Sequence, residues 1–437
     1  MKIAIVGSGI SGLGAALALC GDHDVRVFER QGRFGGHANT VEVAFADGMQ
    51  PVDTGFIVYN FRNYPNLVSM FEHLGVPTKW SDMSFGFSLN GGSFEYACDS
   101  LDKIFAQRWR VLDPRYIAAF SQILKFTRVA PRDLGNGSLD GLTLGEWLDR
   151  RGFSNWFRER FLLPMGGAIW STCVADVLHF PARNFVGFFV NHDLMTGLDP
   201  AQRWRTVEGG SREYVRRIVD RLGEGAVAGR AAVSVRPGAR PVLRFADGSE
   251  ESFDHVLLAC HGPEARAMLD GAEARVNEVL SAFRTSRNRA ILHSDPALMP
   301  RRRRVWSSWN FLSMGMSEDS ERPAQVTYWM NRLQSIPESR PLFVSLNPLR
   351  EPAANLTHAA FDYAHPLYDE ATFRAQSDID TVQGVGGVWF AGAWLGHGFH
   401  EDGLRAGLRV AEALGSRPAW VKDTGAPMRR LYTQAAE

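Results

Sequence analysis

A short apolar run that leads straight into a glycine-rich turn opens the chain. Residues 2–6 (KIAIV) read as a buried parallel strand, and residues 11–20, rich in Ala, Leu and Gly, as the helix that follows. Gly7, Gly9 and Gly12 between them form the pattern GxGxxG. The first glycine permits the tight turn, the second lets a pyrophosphate approach the backbone, and the third lets helix and strand pack closely. This start predicts an α/β protein with a Rossmann-type dinucleotide site.

The helix after this turn is expected to hold the phosphates. Its first N–H groups are free and its positive dipole end faces the turn, which favours anions. Ser11 can add a hydroxyl donor. Glu29 closes the second predicted strand, residues 25–29. A carboxylate there accepts hydrogen bonds from a ribose diol and repels a 2′-phosphate, so the ligand is FAD or NAD rather than NADP.

Further glycine turns favour FAD over NAD. Residues 32–40 (GRFGGHANT) give backbone room for the flavin end of an extended dinucleotide, and Gly55 in residues 51–57 (PVDTGFI) supplies a second close approach. The segment 387–414 has the form strand, glycine turn, helix. The N–H groups that begin that helix would face the flavin carbonyl and N1 and stabilise the reduced ring. Glu401 and Asp402 either cap this helix or contact the ligand.

The chain is too long for one ordinary core, and the pattern along it predicts a discontinuous arrangement. A mixed α/β (α+β) FAD-binding domain is interrupted by an inserted substrate domain, whose first part is mostly helical. The predicted ranges are FAD-binding 1–85, 205–270 and 385–437 with the tail, and substrate-binding 86–204 and 271–384.

Composition narrows the classes of partner. Lys+Arg and Asp+Glu both total 48, which gives no electrostatic case for nucleic acid. The four cysteines lie far apart with no CxxC pair, so neither a zinc site nor a disulfide framework is expected. The cysteines are expected to be reduced cytosolic thiols. The N-terminus lacks the features of a signal peptide, and no run of 18 apolar residues occurs, so a cytoplasmic protein is predicted.

Peripheral contact with the inner membrane surface is left open. Arg301–Arg304 is either a solvated loop, which is favoured, or an anchor for anionic lipid headgroups. Residues 426–433 (APMRRLYT) mix basic and apolar side chains. This composition is compatible with a membrane contact, with a packed tail or with a disordered tail.

Four segments together resemble the flavin-containing amine oxidase and phytoene desaturase superfamily. They are GSGISG with Glu29, GRFGGHANT, VEGGSREYVRRI and FAGAW…GFHEDGLRAG. Within it the chain is similar to a bacterial branch of predicted NAD/FAD-binding oxidoreductases and to the flavin domain of plant cyclopropane fatty acid synthases, through GGHANTV, VWSSWNF, AHPLYDEATFRAQ and GFHEDGL. This resemblance implies non-covalent FAD and a lipid acyl chain as the substrate class.

The resemblance also implies positions for the cofactor. Gly398–Gly403 would lie under the isoalloxazine ring, and Ala232 would hold the adenine through its backbone. With the glycine turns this gives the expected cofactor contacts: Gly7, Gly9, Ile10, Ser11, Gly12, Glu29, Arg30, Gly36, His37, Gly55, Ala232, Gly392, Ala393, Phe399, Glu401, Asp402 and Gly403. No metal ligand is predicted.

Three departures from the superfamily pattern lean away from amine oxidation. His37 stands where an arginine usually follows the paired glycines, and Ala393 where many members carry an acid. Amine oxidases commonly place a lysine near flavin N5, but this chain has no lysine between Lys125 and Lys422. The nearest basic residues in the comparable run are Arg287 and Arg289, and arginine does not readily accept a proton.

The predicted substrate domain is rich in aromatic residues. Most are expected to pack in the core, but as a set they fit an apolar tunnel for a long chain. Trp170 follows a small-residue segment that could bring it near the flavin, and Trp394 and Phe399 stand where amine oxidases often use two tyrosines. The candidate bases are His400 and His397, with His293 and His365 as further candidates, and a structural role is open for each.

The sequence therefore predicts an FAD-dependent oxidoreductase that dehydrogenates, or desaturates, an apolar substrate such as a modified fatty acyl chain. His400 or His397 would take the proton, and Trp170 would lie by the ring. The alternatives are an amine oxidase that uses oxygen, a flavin-holding scaffold or partner of a lipid methyltransferase, and a non-redox isomerase. A methyltransferase or an electron acceptor is a possible partner.

Overall fold

The structure is a computed structural model that describes residues 1–192, 203–314, 324–425 and 428. Of the tail segment 426–433, only Met428 falls within the described residues. Twenty strands are described: β1 (Lys2–Val6), β2 (Asp24–Phe28), β3 (Thr40–Phe45), β4 (Gly48–Asp53), β5 (Tyr59–Asn60), β6 (Thr78–Trp80), β7 (Phe85–Leu89), β8 (Phe94–Ala97), β9 (Trp204–Val207), β10 (Ala226–Val227), β11 (Ala232–Arg236), β12 (Val242–Phe245), β13 (Glu250–Ser252), β14 (His255–Leu258), β15 (Arg284–His293), β16 (Trp309–Ser313), β17 (Gln325–Trp329), β18 (Phe343–Leu346), β19 (Thr357–Leu367) and β20 (Val388–Phe390).

The α-helices of the described residues connect these strands or cover them. They are α1 (Ile10–Leu19), α2 (Pro65–Leu74), α3 (Leu101–Ile104), α4 (Pro114–Gly135), α5 (Leu144–Arg150), α6 (Asn155–Phe157), α7 (Leu163–Trp170), α8 (Val174–Val177), α9 (Ala182–Asn191), α10 (Arg212–Leu222), α11 (Gly262–Met268), α12 (Ala274–Ser281), α13 (Met330–Leu333), α14 (Glu370–Asp378) and α15 (His400–Ala413).

A five-stranded parallel sheet in the order β10-β2-β1-β14-β20 forms the first layer. Strand β1 lies in its middle, and alternation along the strand sends its side chains into two cores. Ile3 and Ile5 pack into one core, and Ala4 and Val6 into the other. Both faces of the sheet are therefore covered, as its continuous apolar strands require.

A seven-stranded mixed sheet in the order β19-β15-β18-β17-β16-β7-β8 forms the second large layer. Among the described residues, β16 and β7 form the only parallel pair of this sheet. An aromatic-rich core joins this sheet to helices α4–α9, with Phe87 and Phe311 from the sheet meeting Phe157 and Phe185 from the helices. Most of the aromatic residues in this region thus serve as core.

Helices α1 and α15 lie so close together that only glycine fits between them at two points. A Cβ at Gly407 would lie 2.1 Å from the carbonyl oxygen of Ser11, and one at Gly14 would lie 2.2 Å from Cδ1 of Leu404. Because Ser11 lies in the first turn of α1, its contact with Gly407 sets the second turn of α15 against the N-terminus of α1.

The residue pattern predicts one helix over residues 144–163, a hairpin turn at Asp247–Gly248 between strands at 242–245 and 255–259, and a last helix over residues 404–414, and the structure corrects all three. Residues 144–163 are not one helix, because α5 ends at Arg150 and Gly152 takes φ +62°. The Asp247–Gly248 turn joins β12 to the short strand β13, and β14 belongs to the parallel sheet instead. The last helix begins at His400 rather than at Leu404.

Within the described residues, no helix has both the length and the apolar character needed to cross a bilayer.

Candidate active site

A cavity of about 1010 Å³ lies at the carboxyl ends of the parallel strands and reaches the seven-stranded sheet. Its first end is lined by the turns after β1, β2, β14 and β20. Its second end is lined by side chains of β15, β18 and β19 and by the helix α9. Open α/β sheets bind ligands at this edge, where the strand ends leave room for a crevice.

The GxGxxG turn has the geometry that its pattern predicts. Gly7 takes φ +105°, and a Cβ on it would lie 2.7 Å from the carbonyl oxygen of Ala259. Gly9 has no atom within 4 Å of its Cβ position, and it lines the cavity. A Cβ at Gly12 would lie 2.0 Å from the carbonyl oxygen of Gly7, which makes Gly12 a packing residue off the cavity wall.

Glu29 lines the cavity and is held in place by its neighbours. Ser8 donates to its carboxylate from both Oγ, at 2.6 Å, and the backbone N–H, at 3.1 Å, and the N–H of Gln31 donates at 2.9 Å. Ser8 Oγ in turn accepts from the N–H of Gly35 at 3.2 Å. Ser8 thereby ties Glu29 to the paired-glycine turn. The sequence reasoning missed it, although it lies inside the GxGxxG motif.

Most of the expected cofactor contacts lie on the wall of this cavity. They are Gly7, Gly9, Ile10, Ser11, Glu29, Arg30, Gly36, His37, Gly55, Ala232, Gly392, Ala393 and Phe399. Arg30 pairs with Glu264 at 3.2 Å, and Arg33 donates to the carbonyl of Gly36 at 3.0 Å, so two cations stand near the nucleotide end.

After His400, the acidic residues in the first turn of α15 bind backbone N–H groups inside the protein instead of reaching into the cavity. Asp402 accepts from the N–H groups of His397 and Phe399, each at 3.0 Å, and Glu401 accepts from the N–H groups of Asn66 and Leu67 at 3.0 Å. Burial raises the pKa of Glu401 to about 6. The sequence left open whether Glu401 and Asp402 cap the helix or contact the ligand. The hydrogen bonds match the first role, because Asp402 caps α15 and Glu401 joins α15 to the start of α2.

Gly403 also serves helix packing. A Cβ there would lie 2.9 Å from both Cγ2 of Ile10 and Oγ of Ser11. Four of the expected cofactor contacts are not on the cavity wall, because they pack or bond inside the protein. They are Gly12, Glu401, Asp402 and Gly403.

Three histidines from distant parts of the chain meet on the wall. The ring of His37 stacks on Tyr363 at 4.9 Å and lies 5.8 Å from His261 and 5.7 Å from His365. Burial, and then the nearby His365 and His261, hold the pKa of His37 well below its usual value. Burial also lowers the pKa of His365 to about 4. The rings of His37 and His365 are therefore neutral at physiological pH, and no pattern in the sequence indicates that the three histidines meet.

His400 lines the cavity, but its surroundings make it a poor base. Its ring stacks on Phe56 at 3.7 Å, and its Nε2 lies 2.9 Å from the hydroxyl of the buried Tyr214. Burial lowers its pKa to about 3. A general base is most effective when its pKa lies near the working pH, so His400 suits a fixed wall position better than proton transfer.

His397 and Trp170 are not brought to the described cavity wall. The His397 ring lies 6.1 Å from Phe188 and 6.2 Å from Phe373. Trp170 packs in the aromatic core, 5.1 Å from Phe180 and 4.9 Å from Phe188. The Gly166–Ala168 segment turns Trp170 toward α9 and not toward the cavity, since packing against aromatic rings buries more apolar surface.

Of the further histidine candidates, His365 lies on the cavity wall and His293 does not. His293 is buried, its Nε2 lies 2.8 Å from Oγ of Ser345, and its Nδ1 accepts from the N–H of Asp295. A histidine that the sequence reasoning overlooked, His192, lines the cavity instead, with Nδ1 donating to the carbonyl of Phe188 at 3.0 Å. Burial lowers the pKa of His192 to about 4.

The second end of the cavity is apolar. Its wall includes Ile57, Val58, Met83, Phe85, Ile169, Phe188, Trp309, Tyr328, Val344, Leu346 and Phe361. The one carboxylate that the described residues contribute there, Asp362, has a side chain that is 66% exposed and faces Arg287 at 3.7 Å.

Strand β15 gives this end no basic group. Arg287 and Arg289 point to solvent, where Arg289 pairs with Glu351 at 3.0 Å. On the opposite face of the strand, the buried Ala290 lines the cavity.

The comparisons with known proteins agree with this geometry. The model of the flavin containing amine oxidoreductase family matches residues 10–294, well over half of the chain. The chain belongs to this family. It is an FAD-dependent oxidoreductase, and the predictions of fold class, family, enzyme class and cofactor are confirmed.

Solved structures of the same fold cover nearly the whole chain. Wild-type putrescine oxidase bound to putrescine has a TM-score of 0.68 at 16% identity and covers 94% of this chain and 98% of its own. Cyclohexylamine oxidase from Brevibacterium oxydans has a TM-score of 0.66 at 17% identity over the same shares. A conjugated linoleic acid-producing (CLA-producing) fatty acid isomerase from P. acnes has a TM-score of 0.64 at 13% identity and covers 93% of this chain and 96% of its own. Comparison with curated proteins finds no match.

The residues present fit FAD. The glycine turn at Gly9 is open toward the cavity, and the N-termini of α1 and α15 both lie on its wall through Ile10, Ser11 and His400. Paired helix N-termini favour a diphosphate and an electron-rich flavin ring. The carboxylate of Glu29 stands at the ribose position, and the apolar end leaves space for a substrate.

Proposed function

We propose that this family member dehydrogenates an apolar chain, such as a modified fatty acyl group. The observation that carries the proposal is the second end of the cavity, whose wall is apolar and aromatic and has no buried carboxylate among the described residues. An apolar pocket recognises an alkyl chain through burial, which contributes about 25 cal/mol for each Å² removed from water. A protonated amine would lack a partner there, and an unpaired buried charge is expensive.

FAD, when bound, would supply the oxidant: it would take a hydride from one substrate carbon, and the proton lost from the adjacent carbon would pass to bulk solvent, which leaves a double bond. The residues of the chain contribute orientation and the exclusion of water. Phe85, Trp309 and Tyr328 stand on the apolar wall, and the neutral rings of His192 and His365 add polar atoms without a fixed charge. Such a wall holds an alkyl chain close to the ring and keeps the site dry.

The fold similarity to a fatty acid isomerase supports a lipid substrate. The similarity to putrescine and cyclohexylamine oxidases supports the second candidate, an amine oxidase. The second candidate has two features against it in this chain. No lysine stands between Lys125 and Lys422, and the two sequence positions at which amine oxidases often use tyrosines carry Trp394 and Phe399.

The test is an anaerobic titration of the FAD-loaded protein, followed by flavin absorbance. Fatty acyl phospholipids, free fatty acids and aliphatic amines are added separately. Bleaching with acyl substrates, together with a product that has gained a double bond, supports the proposal. Bleaching with amines alone overturns it in favour of amine oxidation. A spectrum unchanged by every compound, with acyl chains neither bound nor altered, overturns it in favour of a scaffold.

A further inference from the structure

A group of large apolar side chains is exposed on one part of the helical region. Leu112 is 82% exposed, Leu101 is 67% exposed and Trp109 is 58% exposed. Val111, Ile117 and Leu124 are also exposed. Residues 101–124 include α3, a short 3-10 turn at Arg108–Leu112 and the first half of α4. We call this the 101–124 surface.

The 101–124 surface is held in shape by polar contacts beneath it. Gln107 donates from its side chain to the carbonyl of Ser93 at 2.9 Å, and Tyr116 donates from its hydroxyl to the carbonyl of Ile104. Asp113 caps α4 by accepting from the N–H of Arg115 at 3.0 Å. The apolar side chains are therefore displayed by a fixed backbone, and Ile117 and Leu124, two turns apart, share one face of α4.

Cations surround these apolar side chains and outnumber the acids. Asp102 faces both Arg108 and Arg304, and Asp113 faces both Arg110, at 3.6 Å, and Arg115, at 3.7 Å. Each carboxylate thus meets two guanidinium groups. Arg304 ends the run of four arginines at 301–304. Within that run Arg302 pairs with Glu95 at 2.7 Å and Arg303 with Glu338 at 2.9 Å, so Arg301 is the residue that adds further positive charge next to the same surface.

A second cavity, of about 530 Å³, opens in the same region. Its wall carries three arginines, Arg110, Arg115 and Arg160, and two carboxylates, Asp113 and Glu159, so the cations exceed the acids by one, and Phe94 and Trp156 also line it. Arg110 lies over the ring of Phe94 at 4.3 Å, and Arg160 over the ring of Trp156 at 5.1 Å. Arginine forks held in this way match the oxygens of a phosphate group.

We propose that the 101–124 surface docks the protein onto a bilayer that contains anionic phospholipids. The exposed Trp109, Leu112 and their apolar neighbours enter the boundary between headgroups and acyl chains, and the arginines meet the phosphates. Exposed apolar and aromatic side chains with basic flanks are the combination that binds such a surface, since burial and electrostatic attraction add. This inference does not rest on the identity of the substrate.

The experiment is cosedimentation of the full-length FAD-loaded protein with vesicles. Vesicles of phosphatidylcholine alone are compared with an equal mixture of phosphatidylcholine and phosphatidylglycerol. We expect binding to the mixed vesicles that weakens as salt is raised. Loss of one surface cation, in Arg115→Gln, lowers the affinity about fivefold. The double change Trp109→Ser with Leu112→Ser removes most of the binding.

Two matched variants test the location. Met49→Ser removes an apolar side chain that is 57% exposed on the β3–β4 hairpin, and Arg236→Gln removes an exposed cation from β11. Both should bind vesicles like the wild type. Flavin absorbance and circular dichroism establish that every variant is folded.

Three results would overturn the proposal. The first is no binding to the mixed vesicles. The second is equal loss of binding in the matched variants. The third is a dimer in sedimentation velocity that the double change dissolves, without vesicle binding, which would make this surface a contact between copies of the chain.

Discussion

The hydroxyl of Ser8 donates to the carboxylate of Glu29 across a distance of 2.6 Å, which joins the phosphate turn to the end of the second strand. The backbone N–H of Ser8 adds a second bond to the same oxygen. Glu29, the acid expected to bind the ribose, is thus fixed by the same turn that is expected to approach the pyrophosphate.

Glu29→Ala should weaken FAD binding. The change removes an acceptor for the ribose and leaves Ser8 without its partner, and hydrogen bonds to charged groups are worth enough to predict a loss of roughly 10- to 100-fold in affinity. Quenching of FAD fluorescence on binding to the apoprotein measures it. Glu42→Ala serves as the control and should bind FAD like the wild type. It removes a carboxylate of β3 that pairs with Arg212. Equal affinities for wild type and Glu29→Ala would remove Glu29 from the site.

Gly407→Ala should destabilise the protein and weaken FAD binding together. The new Cβ would meet the carbonyl oxygen of Ser11 at 2.1 Å, so α15 must move away from the first turn of α1. Overpacking of this kind costs about 1–3 kcal/mol. Urea unfolding and FAD titration measure the two effects. Gly21→Ala, where no atom lies within 4 Å of the new Cβ, should change neither. Unchanged stability in Gly407→Ala would show that the two helices can separate freely.

His293 should make the protein less stable in acid. Burial lowers its folded pKa to about 4, while the unfolded ring has an ordinary pKa of 6.5. Between these values the unfolded chain binds more protons, so the stabilising contribution is complete above pH 6.5 and is lost as the pH falls toward 4. The loss should reach roughly 2 kcal/mol by pH 4.5.

Urea unfolding at pH 7.5 and pH 4.5 tests the prediction about His293. His293→Gln keeps a donor for Ser345 and should show a smaller loss on acidification than the wild type. His179→Gln, at an exposed position, should match the wild type. The same acid loss in all three proteins would show that His293 does not contribute.

His400→Gln should leave the rate of flavin reduction within about tenfold of the wild type, because a general base would contribute 10²–10⁴-fold and a ring with a pKa of about 3 is a poor one. Glutamine retains a bond to Tyr214. Anaerobic stopped-flow absorbance measures the rate with the substrate that bleaches the flavin. Tyr214→Phe is the companion variant, and its rate of flavin reduction should also stay within about tenfold of the wild type. A loss of 10³-fold confined to His400→Gln would make His400 the base after all.

The N-terminal site could be predicted because its geometry is local. The glycine pattern fixes the turn between β1 and α1, and a Cβ at Gly12 would strike the carbonyl oxygen of Gly7 within the same unit, whereas one at Gly7 would strike Ala259 after β14. The position of Glu29 follows from the length of the βαβ unit. The glycines of α15 were also visible in sequence, but the partner that demands them, Ser11, lies in the first helix of the chain.

The histidines show where prediction from sequence failed. His397 and Trp170 were placed at the cavity because of their neighbours in sequence, yet the capping turn at Asp402 and the aromatic core at Phe188 hold them elsewhere. No sequence motif marks His261 or His192 as a site residue. His261 follows β14 and His192 follows α9, and only the packing of these elements brings the two side chains to the cavity.

The sequence by itself determined the dinucleotide unit and the cofactor class, since steric limits on a turn and the start of a helix act within a few residues. Only the tertiary structure decided which side chains share the cavity. His37 and His365 are separated by most of the chain, and they meet because β19 carries His365 to the paired-glycine turn. A side chain's neighbours across a sheet depend on strand order and register, and no local pattern in the chain records them.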